Sequence, residues 1–157
     1  MIKTGIGFDA HQLAEGKKLI IGGVKIKSAV GSVGHSDGDA LLHAIVDALL
    51  GAAALGDIGK LFPSEDTQWE NMNSLYFLSQ AGKELKNANV EIYNIDTIII
   101  LQKPKVGNYI TKIQNNISRT LELRDEQVSV KATTTDFMGY IGRGQGYAAQ
   151  AIATIKG

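Results

Sequence analysis

The sequence predicts an α/β chain folded as an α+β sandwich: a mixed sheet with helices packed on one face, forming one compact domain over residues 1–157. Three observations lead there. Apolar period two and apolar period 3.6 take turns along the chain, so strands and helices alternate. The 157 residues suit one domain and suffice to bury a core without a disulfide or structural metal, and the chain has no cysteine. Eighteen glycines against two prolines mark tight turns rather than linkers, and no repeat, low-complexity tract or charged run divides the sequence.

The first strand is the alternating run Ile2, Thr4, Ile6, Phe8, with Asp9 and His11 at its end. Gly5 and Gly7 on its opposite face are expected to leave room for a ligand to approach the backbone. Residues 18–21 and 24–26 flank Gly22-Gly23 as a hairpin. Residues 39 to about 55 form a helix, opened by the cap-type Ser36 and Asp37 and closed by Gly56. Most of its positions are Ala, Leu, Ile or Val, so it is buried. Residues 56–66 read as a loop, because glycine and proline punctuate them and neither period persists. An amphipathic helix covers 73–88. A strand covers 92–101, its unbroken end Thr97-Ile98-Ile99-Ile100-Leu101 predicting burial on both faces. Lys103-Pro104-Lys105 stops it, and residues 107 to about 123 are helical again. A strand over 127–132, a Thr133-Thr134-Thr135-Asp136 turn, a glycine-rich loop and a last strand over about 147–155 complete the chain.

Lysine plus arginine equals aspartate plus glutamate at 16 each, which removes the electrostatic footprint of a nucleic-acid binder or membrane-surface protein. The expected ligand is small. No apolar run reaches the ~18 residues that span a bilayer. The amino terminus enters a strand pattern at once with no signal ahead of it, so a cytoplasmic setting is expected, and the lack of cysteine fits a reducing compartment.

All three histidines fall within the first 43 residues, in GFDAH and HSDGDALLH, each beside carboxylates. A catalytic zinc-type site uses three nitrogen or oxygen side chains and keeps a fourth position open. Asp9, His11 and His43 supply such a set. Asp9 and His11 share one strand face at i and i+2. On the buried helix, Asp39, His43 and Asp47 form a polar stripe at i, i+4 steps, and such a stripe needs partners, which a metal with outer carboxylates would provide. A single Asp-x-His, or a single His on an apolar helix, is more often a hydrogen-bonded core feature than a ligand. The combination is what points to a site. Three later segments look built for anions: Thr133 to Asp136 with Lys131 before them, the glycine-rich stretch around Tyr140 and Arg143, and Lys103 and Lys105 stiffened by Pro104. A β-branched strand edge, an ordinary glycine turn and solvated surface lysines are the plain alternatives for the three.

The segments GFDAHQL, IIGGV, GHSDGDALLHAIVDALLGAAALGDIGKLFP and VKATTTDFMGYIGRGQGYAAQAI occur in that order, and with them the chain resembles the 2-C-methyl-D-erythritol 2,4-cyclodiphosphate synthases of the non-mevalonate isoprenoid pathway, essentially end to end. The resemblance implies a homotrimer with active sites between subunits and an apolar passage near the threefold axis, a possible place for an isoprenoid diphosphate. It implies a divalent metal, usually zinc, on Asp9, His11 and His43, and a second cation, magnesium or manganese, on Asp136, where the family usually carries Glu. His35 and Thr134 match positions that stabilise the transition state, with Lys131 added here as a charge-stabilising residue. Asp9, Ala10 and His11 are counted among the substrate-binding residues, and His35, Ser36, Asp57, Ile58, Gly59, Phe62, Pro63, Ser64, Glu65 and Asp66 would border the methylerythritol phosphate. Leu101, Gln102, Lys103, Pro104, Lys105, Val106, Gly107, Thr133, Thr134 and Thr135 would hold the cytidine diphosphate part, often from an adjacent subunit, and Asp136, Tyr140 and Arg143 are counted as further substrate-binding candidates beside them. Gln145 and Gln150 stand where some members carry Glu, while Phe8 and Arg143 remain for the passage.

The implied reaction is cyclisation of 4-diphosphocytidyl-2-C-methyl-D-erythritol 2-phosphate with release of CMP. It needs no side-chain nucleophile, in keeping with a chain that has no cysteine and no evident nucleophile–base pair. Two other readings use the same residues. A metal-dependent phosphohydrolase would activate water at the open position and leave a linear bisphosphate. A catalytically silent protein binding nucleotides or isoprenoid diphosphates would bind tightly without turnover.

Overall fold

The computed structural model describes residues 1–157. Strands are β1 (Ile2–Glu15), β2 (Leu19–Ile21), β3 (Val24–Ile26), β4 (Val30–Val33), β5 (Glu91–Ile100), β6 (Val128–Thr133) and β7 (Gly146–Lys156). Helices are α1 (Ala40–Ala52), α2 (Ile58–Leu61), α3 (Ser74–Asn87), α4 (Ile110–Leu121) and α5 (Gly139–Gly142). Five strands form one mixed sheet in the order β4-β1-β7-β5-β6, antiparallel except for the parallel β5–β6 pair, and β2–β3 make a separate hairpin. This is the mixed sheet with helices on one face that the pattern predicts. None of the helices is long and apolar enough to cross a membrane.

Alternation along β1 and β7 decides which side is covered. Leu13 of β1 and Tyr147, Ala149, Ala151, Ala153 and Ile155 of β7 face α1 and are buried, whereas Ile2, Ile6, Phe8 and Ile152 point to the open face. α1 is buried almost all round, from Leu41 to Leu50, and α3 and α4 contribute Phe77, Leu78, Leu85, Ile113 and Ile117 to the same core. In β5 the expected burial on both faces is not found: Thr97, Ile99 and the following Leu101 are buried, but Ile98 and Ile100 on the open side are only half-buried. A continuous apolar run marks a face without telling what covers it.

Other differences have local causes. β1 runs on to Glu15 because β4, a short strand hidden in the Gly31-Ser32 sequence, pairs with Gln12 to Glu15. The cap of α1 is Asp39 rather than Ser36 or Asp37, its carboxylate accepting from the Leu42 N–H at 3.1 Å. That same buried carboxylate accepts from Gly22 N at 3.0 Å and Gly23 N at 2.7 Å, so it ties the β2–β3 turn to the start of α1. Asp47, further along the stripe, accepts from Ile58 N at 2.8 Å and holds α2, a turn of helix inside the segment expected to be loop, against α1. Two of the three polar residues on the stripe are therefore partnered by backbone amides and not by a metal environment.

Gly5 and Gly7 have a different role from the one their bareness suggests. A Cβ on Gly7 would lie 1.8 Å from the Ala44 carbonyl oxygen, and one on Gly5 would lie 2.1 Å from that of Ala48. The two glycines admit the backbone of α1, not a ligand. This close approach matters because Ala44 follows His43.

Candidate metal centre

β1 and α1 together bring Asp9, His11 and His43 to one point. Asp9 and His11 share the helix-side face of β1, and the Gly7–Ala44 contact lowers α1 until the His43 ring reaches them. Asp9 Oδ2 lies 2.8 Å from His11 Nε2 and 3.0 Å from His43 Nδ1, and one ligand atom from each residue falls within 4.8 Å of the others. The imidazole rings meet edge to face with centroids 5.5 Å apart. The site opens to solvent on one side, its side chains being 28% (Asp9), 15% (His11) and 13% (His43) exposed.

Proton accounting shows what this cluster is suited to hold. His11 Nδ1 lies 3.0 Å from the Val33 carbonyl oxygen, which can only accept, so that nitrogen carries the hydrogen and donates. In the neutral ring the lone pair on Nε2 then faces the Asp9 carboxylate. Gly34 leaves room for the ring, since a Cβ there would come within 3.1 Å of it. Electron-rich atoms converging at this spacing need positive charge between them. A second proton on His11 is one way to supply it. Burial alone would lower the His11 pKa, but its hydrogen bond and attraction to Asp9 outweigh that and raise it. Burial likewise opposes charge on Asp9, and the close His11 and His43 rings overcome it, bringing its pKa down to about 2. A divalent metal is the other way, and one carboxylate with two imidazoles leaving a solvent-facing side is a donor set that fits it.

Around this centre the structure gathers several of the expected substrate residues. Ser36 Oγ is 3.1 Å from His43 Nε2. The exposed His35 sits in the same bend, and its carbonyl accepts from Asn71 N at 2.9 Å. Phe62 packs at a tilt on Phe77 with ring centroids 4.5 Å apart, the Phe77 ring is 6.1 Å from that of His43, and Phe62 meets Trp69 edge-on at 5.2 Å. These contacts anchor the Phe62-to-Asp66 loop beside the metal centre. Asp57 caps α2, accepting from Lys60 N at 2.9 Å.

The segments expected to take the cytidine diphosphate also come together, but elsewhere. Leu101 N donates to the Thr133 carbonyl at 3.0 Å, and Phe137 N to Gln102 Oε1 at 3.0 Å. Thr134 Oγ1 accepts from Asp136 N at 3.2 Å, and Asp136 and Phe137 turn the chain through left-handed conformations at φ 53° and 63°. This turn is at the same end of the sheet as the metal centre, because Asp9 pairs with Ala149, Ala149 with Ile99, and Ile99 with Ala132. Three strand spacings separate them, about 14 Å. Lys131 is engaged away from both, in an ion pair with Asp96 of β5. Arg143 is exposed just after α5, with Nε donating to Gln145 Oε1 at 3.4 Å. One polar neighbour escaped the sequence reading: Ser74 Oγ lies 2.9 Å from His43 Nε2. Its sole sequence signal was a serine opening a helix.

A family model described as the YgbB family matches residues 2–156. The chain is 51% identical over 154 residues to a 2-C-methyl-D-erythritol 2,4-cyclodiphosphate synthase of Alkaliphilus metalliredigens, covering 98% of this chain and 97% of that one. With the synthase of Chlorobaculum tepidum it is 50% identical over 155 residues, covering 99% of each. Among solved structures, the bifunctional IspDF from Campylobacter jejuni superposes with a TM-score of 0.96 at 42% identity, over 99% of this chain and 42% of that longer one. The CDP complex of IspF from Plasmodium falciparum superposes with a TM-score of 0.86 at 38% identity, over 98% of this chain and 95% of that one.

Proposed function

Because the chain belongs to the YgbB family, the 2-C-methyl-D-erythritol 2,4-cyclodiphosphate synthases, we propose that its metal centre and threonine turn close 4-diphosphocytidyl-2-C-methyl-D-erythritol 2-phosphate into the cyclic diphosphate. The enzyme is a phosphorus–oxygen lyase of the non-mevalonate isoprenoid pathway. An oxygen of the substrate's 2-phosphate bonds to the β-phosphorus, the bond from that phosphorus to the bridging α–β oxygen breaks, and CMP leaves with the electron pair. The attacking group is already an anion, so no side-chain nucleophile is required. The obstacle is repulsion between phosphates and the need for an in-line approach, which positioned charge and donors overcome.

The observation that carries this reading is the convergence of Asp9 Oδ2, His11 Nε2 and His43 Nδ1. A divalent cation, zinc in this reading, would be held by Asp9, His11 and His43 and would supply Lewis-acid charge to the substrate's phosphates, and magnesium or manganese held by Asp136 would add charge neutralisation. His35 and Thr134 donate to oxygens that gain charge in the transition state, and Lys131 joins them once phosphate competes with Asp96 for its ammonium. Ser36, Asp57 to Gly59 and the Phe62-to-Asp66 loop border the methylerythritol phosphate. Residues 101–107 and Thr133 to Thr135 hold the cytidine diphosphate; that a ligand of this kind binds is supported by the likeness to the IspF of Plasmodium falciparum solved as a CDP complex.

A homotrimer completes this reading. The distance across the sheet from Asp9 to the threonine turn favours one active site made from two subunits. Ile2, Ile6, Phe8 and Ile152 leave an apolar face uncovered, as a shared core would require, with a central passage for an isoprenoid diphosphate. A cytoplasmic setting accords with the bacterial biosynthetic relatives.

Phosphorus NMR of the protein with the cytidyl substrate, zinc and magnesium tests the proposal. CMP and a cyclic diphosphate should appear, and chelation should stop them. A linear bisphosphate would mean hydrolysis, and bound substrate without products would mean a binding protein. Either result overturns the assignment.

A further inference from the structure

We propose that Ser74 and Asp37 are positioning residues that hold His43 in the one tautomer able to ligate a metal through Nδ1. The inference rests on reading Asp9, His11 and His43 as metal ligands, and concerns what orients the third of them.

The argument follows single protons. Asp37 is an acceptor only, and both of its oxygens are engaged by Ser74: Oδ2 accepts the Ser74 backbone N–H at 2.8 Å, and Oδ1 accepts the Ser74 hydroxyl. Asp37 Oδ1 also accepts from Asp39 N at 3.2 Å. A serine has one hydroxyl proton, and here it goes to the carboxylate. What Ser74 Oγ then presents to His43 Nε2, 2.9 Å away, is a lone pair. Nε2 must carry the hydrogen and donate it. Nδ1 is left unprotonated, facing Asp9 Oδ2 at 3.0 Å, the direction from which a shared cation would be bound. Ser36 Oγ, 3.1 Å from the same Nε2, adds a second acceptor for that hydrogen.

The relay is rigid at its base. Ser74 is fully buried at the first position of α3, whose N-cap is Asn73, and Asp37 lies in the bend ahead of α1. The two bonds between Ser74 and Asp37 fasten α3 to that bend, so the packing of α3 on α1 sets the angle of the His43 ring. His11 gets the same service from a backbone carbonyl, that of Val33. Each imidazole thus has its outward nitrogen committed to an acceptor, one by main chain and one by a carboxylate acting through a hydroxyl.

Outer hydrogen bonds of this kind are typically worth about 10–100-fold in metal affinity. The test measures zinc affinity by competition with a chromophoric chelator on the purified full chain, together with the His43 ring tautomer by nitrogen-15 NMR. Ser74→Ala and Asp37→Asn should each weaken zinc roughly 10–100-fold, and Ser74→Thr, which restores the hydroxyl, should recover most of the loss. Asp37→Asn keeps the shape of the relay but no longer dictates where the serine proton goes, so a purely structural role would leave its zinc affinity and tautomer unmoved. The wild-type ring should show hydrogen on Nε2, a measurement that does not depend on any variant folding. Hydrogen on Nδ1, or zinc affinity in both variants within about twofold of wild type, overturns the relay while leaving the ligand set intact. Loss of zinc in His43→Ala alone would confirm that separation, whereas a wild type that takes up no zinc overturns the metal reading and the relay with it.

Discussion

Gly7→Ala should disable the metal centre from a position that touches no ligand. The added methyl carbon would sit 1.8 Å from the Ala44 carbonyl oxygen, 2.8 Å from its carbon and 2.9 Å from Ala48 N, all of them main-chain atoms of α1. No rotamer relieves such a contact. The separation must grow to at least 3.0 Å, so the helix lifts by about 1 Å or the strand bends away. Forced repacking of this sort costs about 1–3 kcal/mol, roughly 2–12 °C in Tm for a chain of this size. The larger effect falls on chemistry, because His43 precedes Ala44 and moves with it. Metal–ligand distances tolerate only about 0.2 Å, so zinc affinity should drop at least about 100-fold even in a protein that still folds. Differential scanning fluorimetry of the metal-free protein and chelator competition for zinc read the two effects separately. A Gly7→Ala protein with unchanged Tm and zinc affinity would show that α1 is not held at its distance by the bare strand, and the account of how the triad forms would fail.

Removing the third ligand directly by His43→Ala should leave a folded protein with little metal and little turnover; metal analysis and product formation equal to wild type would refute the ligand assignment. Asp39 offers a pH test. Burial first, and then the charge on Asp37, push its pKa up from 3.8 to about 6, against the pull of three backbone N–H groups. The native chain therefore keeps a proton that the unfolded chain has released between pH 3.8 and about 6, so this residue's contribution to stability declines as pH rises through that window. At about 1.4 kcal/mol per pKa unit the decline is on the order of 3 kcal/mol. Asp39→Asn should flatten that part of the urea-unfolding profile and also lower stability at every pH, since its amide would set a donor against the Gly22 or Gly23 N–H; a profile with the wild-type slope would contradict this. Tyr147→Phe removes a buried hydroxyl that donates to the Gly38 carbonyl at 2.8 Å and accepts from Ala40 N at 2.9 Å. Two stranded polar groups should cost roughly 2–4 kcal/mol in denaturant unfolding, and a loss below about 0.5 kcal/mol would refute their dependence on the ring.

What could be read from the sequence and what could not divide along physical lines. Period and capping residues locate α1, α3, α4 and the long strands to within a few residues, because one helix or strand face buries apolar side chains in each. The triad is visible because Asp9 and His11 share a strand face and the chain has no other histidine-rich stretch. Residues that act through main chain stay hidden. Val33 orients His11 with a carbonyl, Asp39 and Asp47 spend their carboxylates on amides, and Gly7 works by what its missing Cβ admits. Short elements such as β4 and α2 have too few residues to display a period. Lys131 illustrates another limit: its charge is plain in the sequence, but the strand pairing that places Asp96 within its reach is a long-range contact.

The strand order has a temporal side. β7 is the last strand in sequence order yet lies in the middle of the sheet, between β1 and β5. Until residues 146–156 have left the ribosome, β1 can pair only along its far end with β4, and β5 only with β6, so α1 has no continuous floor to settle on. Translation must pass residue 146 and run on through β7 before the sheet joins, and the pairing that joins it links positions as far apart as Ile2 and Lys156. Closure over such separations makes folding slow. Until then the nascent chain carries the apolar α1 segment with no sheet to bury it against, the kind of exposed surface that makes incomplete chains prone to aggregation.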